Sequence, residues 1–416
     1  MRKGLLLGAG FSYDLGMPLA VEVTEIFLGI FSKRRAKSLG DLLSKNEPYG
    51  KDRPINKAAI HKGMDLLIEY KKNGKNYEEF LARLEEFPWE SQSDRDSGHY
   101  LFSVFYDILY RTLLAYQNTS YKVMYEGCNG FYSGLTNMLS DEETWIFTLN
   151  HDLCLECLAI DFGVPVTYGD MDEITFPRTN VEPNDLIQLS CMQREHMCKN
   201  GRGWFAGKRG INLVRLHGGF SELEYKDSEI ICNPFLNHTR SSELMAEFNR
   251  LESMGYYVYG KRVPSGRDRV ITGPDGTPDI VHRTVLTGGN KYSKTMKFKK
   301  GEEKLKLFAD VMKELDELTI IGYGFGDAHV NYRISNAMVL NENLALRIVD
   351  PFYRRPPEFL QQFDYDSRIR GAICRAAEWM SYVGDEKWNM EQSKCLKENE
   401  GLRSEIKKIV ATVVPR

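Results

Sequence analysis

Five short stretches carry residues whose types and positions could act together on a ligand. An apolar run, Leu5–Leu7, breaks into Gly8, Ala9 and Gly10, with Ser12 just beyond. A second run from Trp145 supplies Thr148, Asn150 and Asp152 in the sequence TLNHD. A third, Asn212–Leu216, ends in His217, Gly218 and Gly219; a fourth, Leu318–Ile321, ends in GYGFGD with Gly322, Gly324, Phe325 and Asp327; a fifth, Leu346–Val349, ends in Asp350. Small residues after a strand let the backbone approach a ligand, and the N–H groups that open a helix can face a phosphate. An asparagine amide both donates and accepts, so Asn150 can orient a water or a ribose hydroxyl. His217 has the side chain best suited to general base chemistry near neutral pH. Asp350 is placed to accept hydrogen bonds from ribose hydroxyls.

Each of these residues also has a plainer reading. Gly8–Ser12 reads equally as a tight turn without ligand, since GxGxxG would need a glycine where Tyr13 stands. Asp152 and Asp327 can cap the helices that follow them, and Asn331 lies one turn beyond Asp327 on the same face. His217 can bond a loop carbonyl. The five stretches gain weight together, because ligands in open parallel sheets bind outside the carboxyl ends of the strands.

The elements that must position them are legible from periodicity. The apolar runs read as buried parallel strands bounded by turn residues. Between the first and second lie about a hundred residues without a strand run. Helical spacing covers Lys57–Lys71, Tyr77–Phe87, His99–Tyr116 and Tyr121–Leu139, and the helix after Pro18 is expected to end in the basic SKRRAKS segment. This block, at about 34–140, reads as an insertion into an α/β core or a cap over it. Ser221–Cys232 reads as hairpin-like, residues 170–209 as polar and irregular, and residues 257–282 as an inserted hairpin. A helix with Leu402, Ile406 and Val410 in register closes the chain. The expected organisation is a core over 1–385 and a C-terminal helix over 386–416 available for assembly.

Composition narrows the class. At 416 residues, 42% apolar and 27% charged, the chain can bury a large core and is not expected to be extensively disordered. A net charge of −3 offers no global reason for nucleic-acid binding, and the lysines at 291, 294, 297, 299 and 300 read as a solvated run. No stretch reaches the ~18–20 apolar residues of a membrane helix. Eight scattered cysteines suit reduced thiols and a cytoplasmic location rather than a disulfide scaffold. Cys154 and Cys157 form a CxxC on a helix, while Cys191 and Cys198 are six apart, so no structural zinc is expected.

GAGFSYDLGMP, TLNHD and LHGG, in that order, resemble the first loop, the T-Q-N-x-D segment and the catalytic-histidine segment of sirtuins, with GYGFGD and VDP similar to the later strand ends. The resemblance implies a Rossmann-like, mostly parallel α/β sheet. It departs where deacylating sirtuins carry Asp-Phe-Arg after the proline (here Leu19, Ala20, Val21), where glutamine is Leu149, and where the paired CxxC module is missing. These departures are similar to the sirtuin-like NADases of bacterial anti-phage systems. That resemblance implies NAD+ as substrate rather than resident cofactor, with Asn150 and His217 catalytic. Gly8, Ala9, Gly10, Ser12, Thr148, Asp152, Gly322, Gly324, Phe325, Asp327 and Asp350 are then NAD+-binding. It implies hydrolysis of the nicotinamide–ribose bond in an NAD-depleting response to infection. Because the chain ends soon after the core, self-assembly into a homo-oligomer or a separate partner is expected, a HerA-type ATPase being the best match. An NAD-dependent deacylase and a non-enzymatic NAD or ADP-ribose sensor are the alternatives.

Overall fold

The computed structural model describes residues 2–74, 76–285, 302–365 and 367–413. The lysine run at 291–300 lies outside them. The chain opens with β1 (Lys3–Leu7), whose last four residues are buried, and turns through the short α1 (Ala9–Ser12). Helices α2 (Ala20–Ile30), α3 (Lys33–Leu43), α4 (Lys57–Tyr70), α5 (Tyr77–Glu85) and α6 (Gln92–Ser120) follow. A π turn at Tyr121–Tyr125 and the short α7 (Glu126–Cys128) and α8 (Leu135–Met138) complete the block. The SKRRAKS segment opens α3 instead of ending α2, because Ser32 accepts the Arg35 N–H as a cap. α6 starts seven residues before the expected His99, where Ser91 and Asp94 form a capping box ahead of the apolar stripe. The aromatic rings of Phe27, Phe31, Phe80 and Phe105 pack edge-on and tilted at 5.4–6.0 Å and join α2, α5 and α6.

Next come β2 (Glu143–Thr148), α9 (Cys154–Asp161), β3 (Val166–Thr167), β4 (Asp172–Thr179), β5 (Glu182–Gln193) and β6 (Gly210–Arg215). They are followed by β7 (Leu223–Tyr225), β8 (Ile230–Asn233), α10 (Ser241–Ser253), β9 (Tyr257–Val258), β10 (Lys261–Arg262), β11 (Asp268–Thr272) and β12 (Pro278–Arg283). The chain ends with α11 (Glu302–Met312), β13 (Glu317–Ile321), α12 (Ala328–Leu340), β14 (Ala345–Val349), β15 (Ile369–Ala372), α13 (Ala376–Asp385) and α14 (Met390–Val413).

Seven strands form one parallel sheet in the order β15-β14-β13-β1-β2-β6-β3. The all-apolar runs suit it, because helices cover both faces of such a sheet. Its register places Leu7 opposite Thr148 and Ile321, Thr148 opposite Arg215, and Ile321 opposite Val349. Gly8, Asn150, His217, Gly322 and Asp350 therefore leave five adjacent strands at one edge.

A second, six-stranded antiparallel sheet has the order β11-β12-β7-β8-β5-β4. Its β7–β8 pair is the hairpin expected at Ser221–Cys232, whereas the other strands come from the stretch that reads as irregular and from the expected 257–282 hairpin. The 170–209 stretch contains its longest pair, β4 and β5. Both strands open on exposed charged or polar residues (Asp172, Glu173, Glu182, Asn184), which mask the strand signal. The expected 257–282 hairpin is two hairpins: β9–β10 stands alone, and β11–β12 extends this sheet.

Two glycines hold the centre of the parallel sheet together. Gly10 N donates to Gly322 O at 2.9 Å, and Gly322 has φ +63°. A Cβ on Gly322 would stand 2.5 Å from Gly10 Cα and Phe11 N. Both backbone conformation and space exclude a side chain. Gly322→Ala is expected to lower unfolding free energy by about 3 kcal/mol in urea titrations. A loss below ~0.5 kcal/mol would show that this contact relaxes freely.

Candidate functional site

The turn after β1 and the loop after β2 are joined by one buried chain of hydrogen bonds. Asn150 Nδ2 donates to Gly8 O at 3.0 Å and to Ser12 Oγ at 3.1 Å. Ser12 Oγ donates in turn to Asp152 Oδ1 at 3.0 Å, which also accepts the Cys154 N–H at 3.0 Å. Thr148 Oγ1 takes the Asn150 N–H. Ser12 is fully buried, and Asn150 and Asp152 are each 8% exposed. Asp152 thus accepts the first N–H of α9 and contacts the turn at once. Burial pushes its carboxyl above the ordinary range, and the Cys154 N–H and Arg215 offset this only in part.

A buried guanidinium fixes the loop from the other side. Arg215 donates to Asn150 O at 2.8 Å and Asp152 O at 2.7 Å, and pairs with Glu156, which also accepts the Tyr168 hydroxyl at 2.8 Å. Burial alone would lower the Arg215 pKa, but the Glu156 carboxylate raises it further, so the guanidinium stays charged. Sequence reading missed Arg215, Glu156 and Tyr168. The available signal was an arginine at the end of β6, between Val214 and Leu216 and two residues before His217. Gln117 was missed as well; its Oε1 accepts the Leu153 N–H at 2.9 Å.

His217 follows β6 and faces the capping residue of α12. Its Nε2 lies 2.7 Å from Asp327 Oδ2, while Asp327 Oδ1 accepts the His329 and Val330 N–H groups. Asp327, expected among the nucleotide contacts, is therefore engaged by the histidine and by its own helix. A carboxylate in this position fixes the ring's orientation and tautomer. His151 Nδ1 lies 3.1 Å from Gly218 O, and Phe220 N donates to His151 O at 2.9 Å, so the loops of Asn150 and His217 are tied directly.

The glycine turns differ from the expectation of an open phosphate cradle. The N–H groups of Gly8, Gly10 and Phe11 are taken by Ile321 O, Gly322 O and Gly8 O, each at 2.9 Å. Ala9 stays half-buried in the same turn. The glycines at 8, 10 and 322 serve backbone packing, whereas Gly324 and Gly326 have open space around them. Phe325 adopts φ +54°, its carbonyl held by Asn331 Nδ2 at 2.8 Å. Asp350 lies at the strand end and accepts the Phe352 N–H at 2.6 Å. The cysteines of the CxxC are buried on α9, and burial pushes both thiols well up, so they remain protonated. Among the described residues no cluster of three or more His, Cys, Asp or Glu side chains could hold a metal ion.

The C-terminal helix reaches this turn as well. Arg403 lies over the Tyr13 ring at 3.4 Å and donates to the carbonyls of Tyr13 and Met17. Arg375, just before α13, pairs with the buried Asp14 at 3.2 Å and with Glu400 at 2.8 Å.

Two outcomes follow from these contacts. Arg215→Leu leaves Glu156 buried without its partner and is expected to lower stability by about 3–5 kcal/mol in denaturant titration. Asp152 has a folded-state pKa above its unfolded value. Its stabilising contribution is present below the ordinary carboxylate range and is lost as pH rises through the elevated pKa. Asp152→Asn keeps an acceptor for Ser12 and Cys154 and is expected to lose that decline. Parallel melting curves of both proteins from acid to neutral pH would contradict the assignment.

No family model matches the chain, and no curated protein matches it. Among solved structures, a chain from a study titled "Structural Basis for the Mechanism and Regulation of Sir2 Enzymes" is similar over 97% of this chain and 93% of that one, at 13% identity and a TM-score of 0.29. A likeness at that level carries no argument about the chemistry.

Proposed function

We propose that this protein is an NAD+ glycohydrolase that cleaves the nicotinamide–ribose bond to give nicotinamide and ADP-ribose. The observation that carries the reading is the placement of Asn150 and His217 on adjacent loops at one edge of the parallel sheet. One is bonded to the Gly8–Ser12 turn and the other faces Asp327. The motif resemblance described above supplies the substrate. NAD+ would lie across the five strand ends, with its adenosine ribose toward Asp350 and its nicotinamide ribose near Asn150, Asp152 and His217.

Loss of nicotinamide builds oxocarbenium character on the ribose, as in glycoside hydrolysis, but the leaving group is already cationic and needs no acid. The protein then has to place a water, remove its proton and keep bulk solvent away. Asn150 would orient the water or the ribose hydroxyl, and its own amide is pinned by two acceptors. His217 would take the proton, with Asp327 holding the ring. Asp152 would face the developing cation. The defence role belongs to the same proposal: NAD+ depletion on infection, in the cytoplasm, by a homo-oligomer working with a HerA-type ATPase.

Purified protein incubated with NAD+, with and without a HerA-type ATPase, is expected to release nicotinamide and ADP-ribose, read by chromatography. Asn150→Ala and His217→Ala should each reduce that rate by about 10²-fold or more while the fold, checked by circular dichroism, survives. Cleavage by His217→Ala at the wild-type rate would remove the histidine from the mechanism, and absence of nicotinamide under every condition would sink the enzyme reading. Deacylated peptide formed in proportion to NAD+ consumed would replace it with acyl transfer.

A further inference from the structure

We propose that the cavity between the helical block and the antiparallel sheet is a binding site for a nucleotide-sized anion, separate from the strand-end site. The cavity measures about 410 Å³ and is walled by α5, α6 and the segment Phe87–Trp89 on one side and by β11 and β12 on the other. That volume is within the ~300–1,000 Å³ of small-molecule sites.

Its chemistry is mixed in a particular way. Phe87 and Trp89 form a ring pair with centroids 4.6 Å apart, and the indole rests on Gly98, where a Cβ would come within 2.5 Å of it. This gives a partly exposed aromatic shelf backed by backbone, suited to stacking a flat base. Arg267 and His99 line the same cavity, and neither side chain makes a hydrogen bond or ion pair among the described residues. Arg95 reaches only the neutral Gln92. Arg267 also feels the Asp268 carboxylate on the same wall but forms no close ion pair with it, and guanidinium groups without such a pair beside an aromatic shelf suit a phosphate or carboxylate. Glu85 and the His282-paired Asp268 line the wall too and can accept from sugar hydroxyls or an amino group.

Three other cavities among the described residues lack this feature. In one, Arg83 is already paired with Glu79; in another, Arg347 is paired with Glu317 and stacked on Trp379; in a third, Arg250 is paired with Asp185.

Both walls continue into the strand-end site. α6 lines the cavity through Gly98, His99 and Phe102, and further along the same helix Gln117 holds Leu153 N and Ser120 donates to Gly16 O at 2.8 Å. β12 lines it through His282, and Thr284, two residues on, accepts the Gly219 N–H at 3.1 Å. A ligand bridging the walls would therefore restrain the loops that carry Asp152 and His217. This coupling, unlike the binding site itself, rests on the hydrolase reading.

The test is calorimetric titration of the full chain with ATP, GTP, CTP, UTP and inorganic phosphate. At least one nucleotide is expected to bind, and Arg267→Glu and Trp89→Ala should each weaken it by about tenfold or more. Asn150→Ala, in the strand-end site, should retain binding. Arg267 is part-exposed, so its variant keeps the fold even where Trp89→Ala does not, and melting curves check this. The proposal is overturned if no probe gives heat, if Arg267→Glu binds as wild type, or if Asn150→Ala abolishes binding, which would place the nucleotide at the strand ends. Binding heat does not depend on turnover, so failure of the hydrolase reading leaves the result intact. With nicotinamide release measurable, saturating nucleotide should change its rate in wild type and not in Arg267→Glu; equal rates overturn the coupling.

Discussion

The candidate site depends on one buried cation. Arg215 is the last residue of β6, 2% exposed, and its guanidinium holds the main-chain carbonyls of Asn150 and Asp152 with Glu156 as counter-ion. Stripping water from two such charges is expensive, and pairing with good hydrogen bonds is what offsets it. The gain is geometric: the loop after β2 cannot drift from the loop after β6. Two residues beyond Arg215 stands His217, so the same cation sets the spacing between the two groups proposed to act on the substrate. Ser12 then needs only to reach Asn150 and Asp152 to bring the first turn into the same frame.

The turn after β1 is held from three directions. Gly322 presses against Gly10 from β13, Tyr132 donates to Phe11 O at 2.6 Å from the helical block, and Arg403 grips the Tyr13 and Met17 carbonyls from the C-terminal helix. Residues near both ends of the chain thus meet at the turn that the substrate would cross. α14 also buries Leu396, Ile406 and Val410 within the chain. Its outward face keeps Leu402, Ile409 and Val413 exposed.

Much of the parallel core was legible because its strands are short apolar runs that stop at glycine or a polar residue. The five strand ends could be named without knowing which strands were neighbours. The hairpins at 221–232 and 257–282 were legible in part, but β4 and β5 were not, since both open on exposed charged or polar residues that read locally as loop. α6 was seen but started late, because its first turns are polar and only the Ser91 capping box marks them.

The sequence alone determined which residues could do chemistry and that each follows a buried strand, because both are local properties of composition and periodicity. It could not determine what each residue touches. Asp327 looked like a nucleotide contact or a helix cap; folding makes it the cap and sets it against His217, 110 positions away in the chain. The glycines of the first turn looked like space for a phosphate; folding also sets Gly8 and Gly10 against the backbone that follows β13. Partner choice follows from strand order and register, and these are settled only when distant apolar runs bury one another in a single sheet.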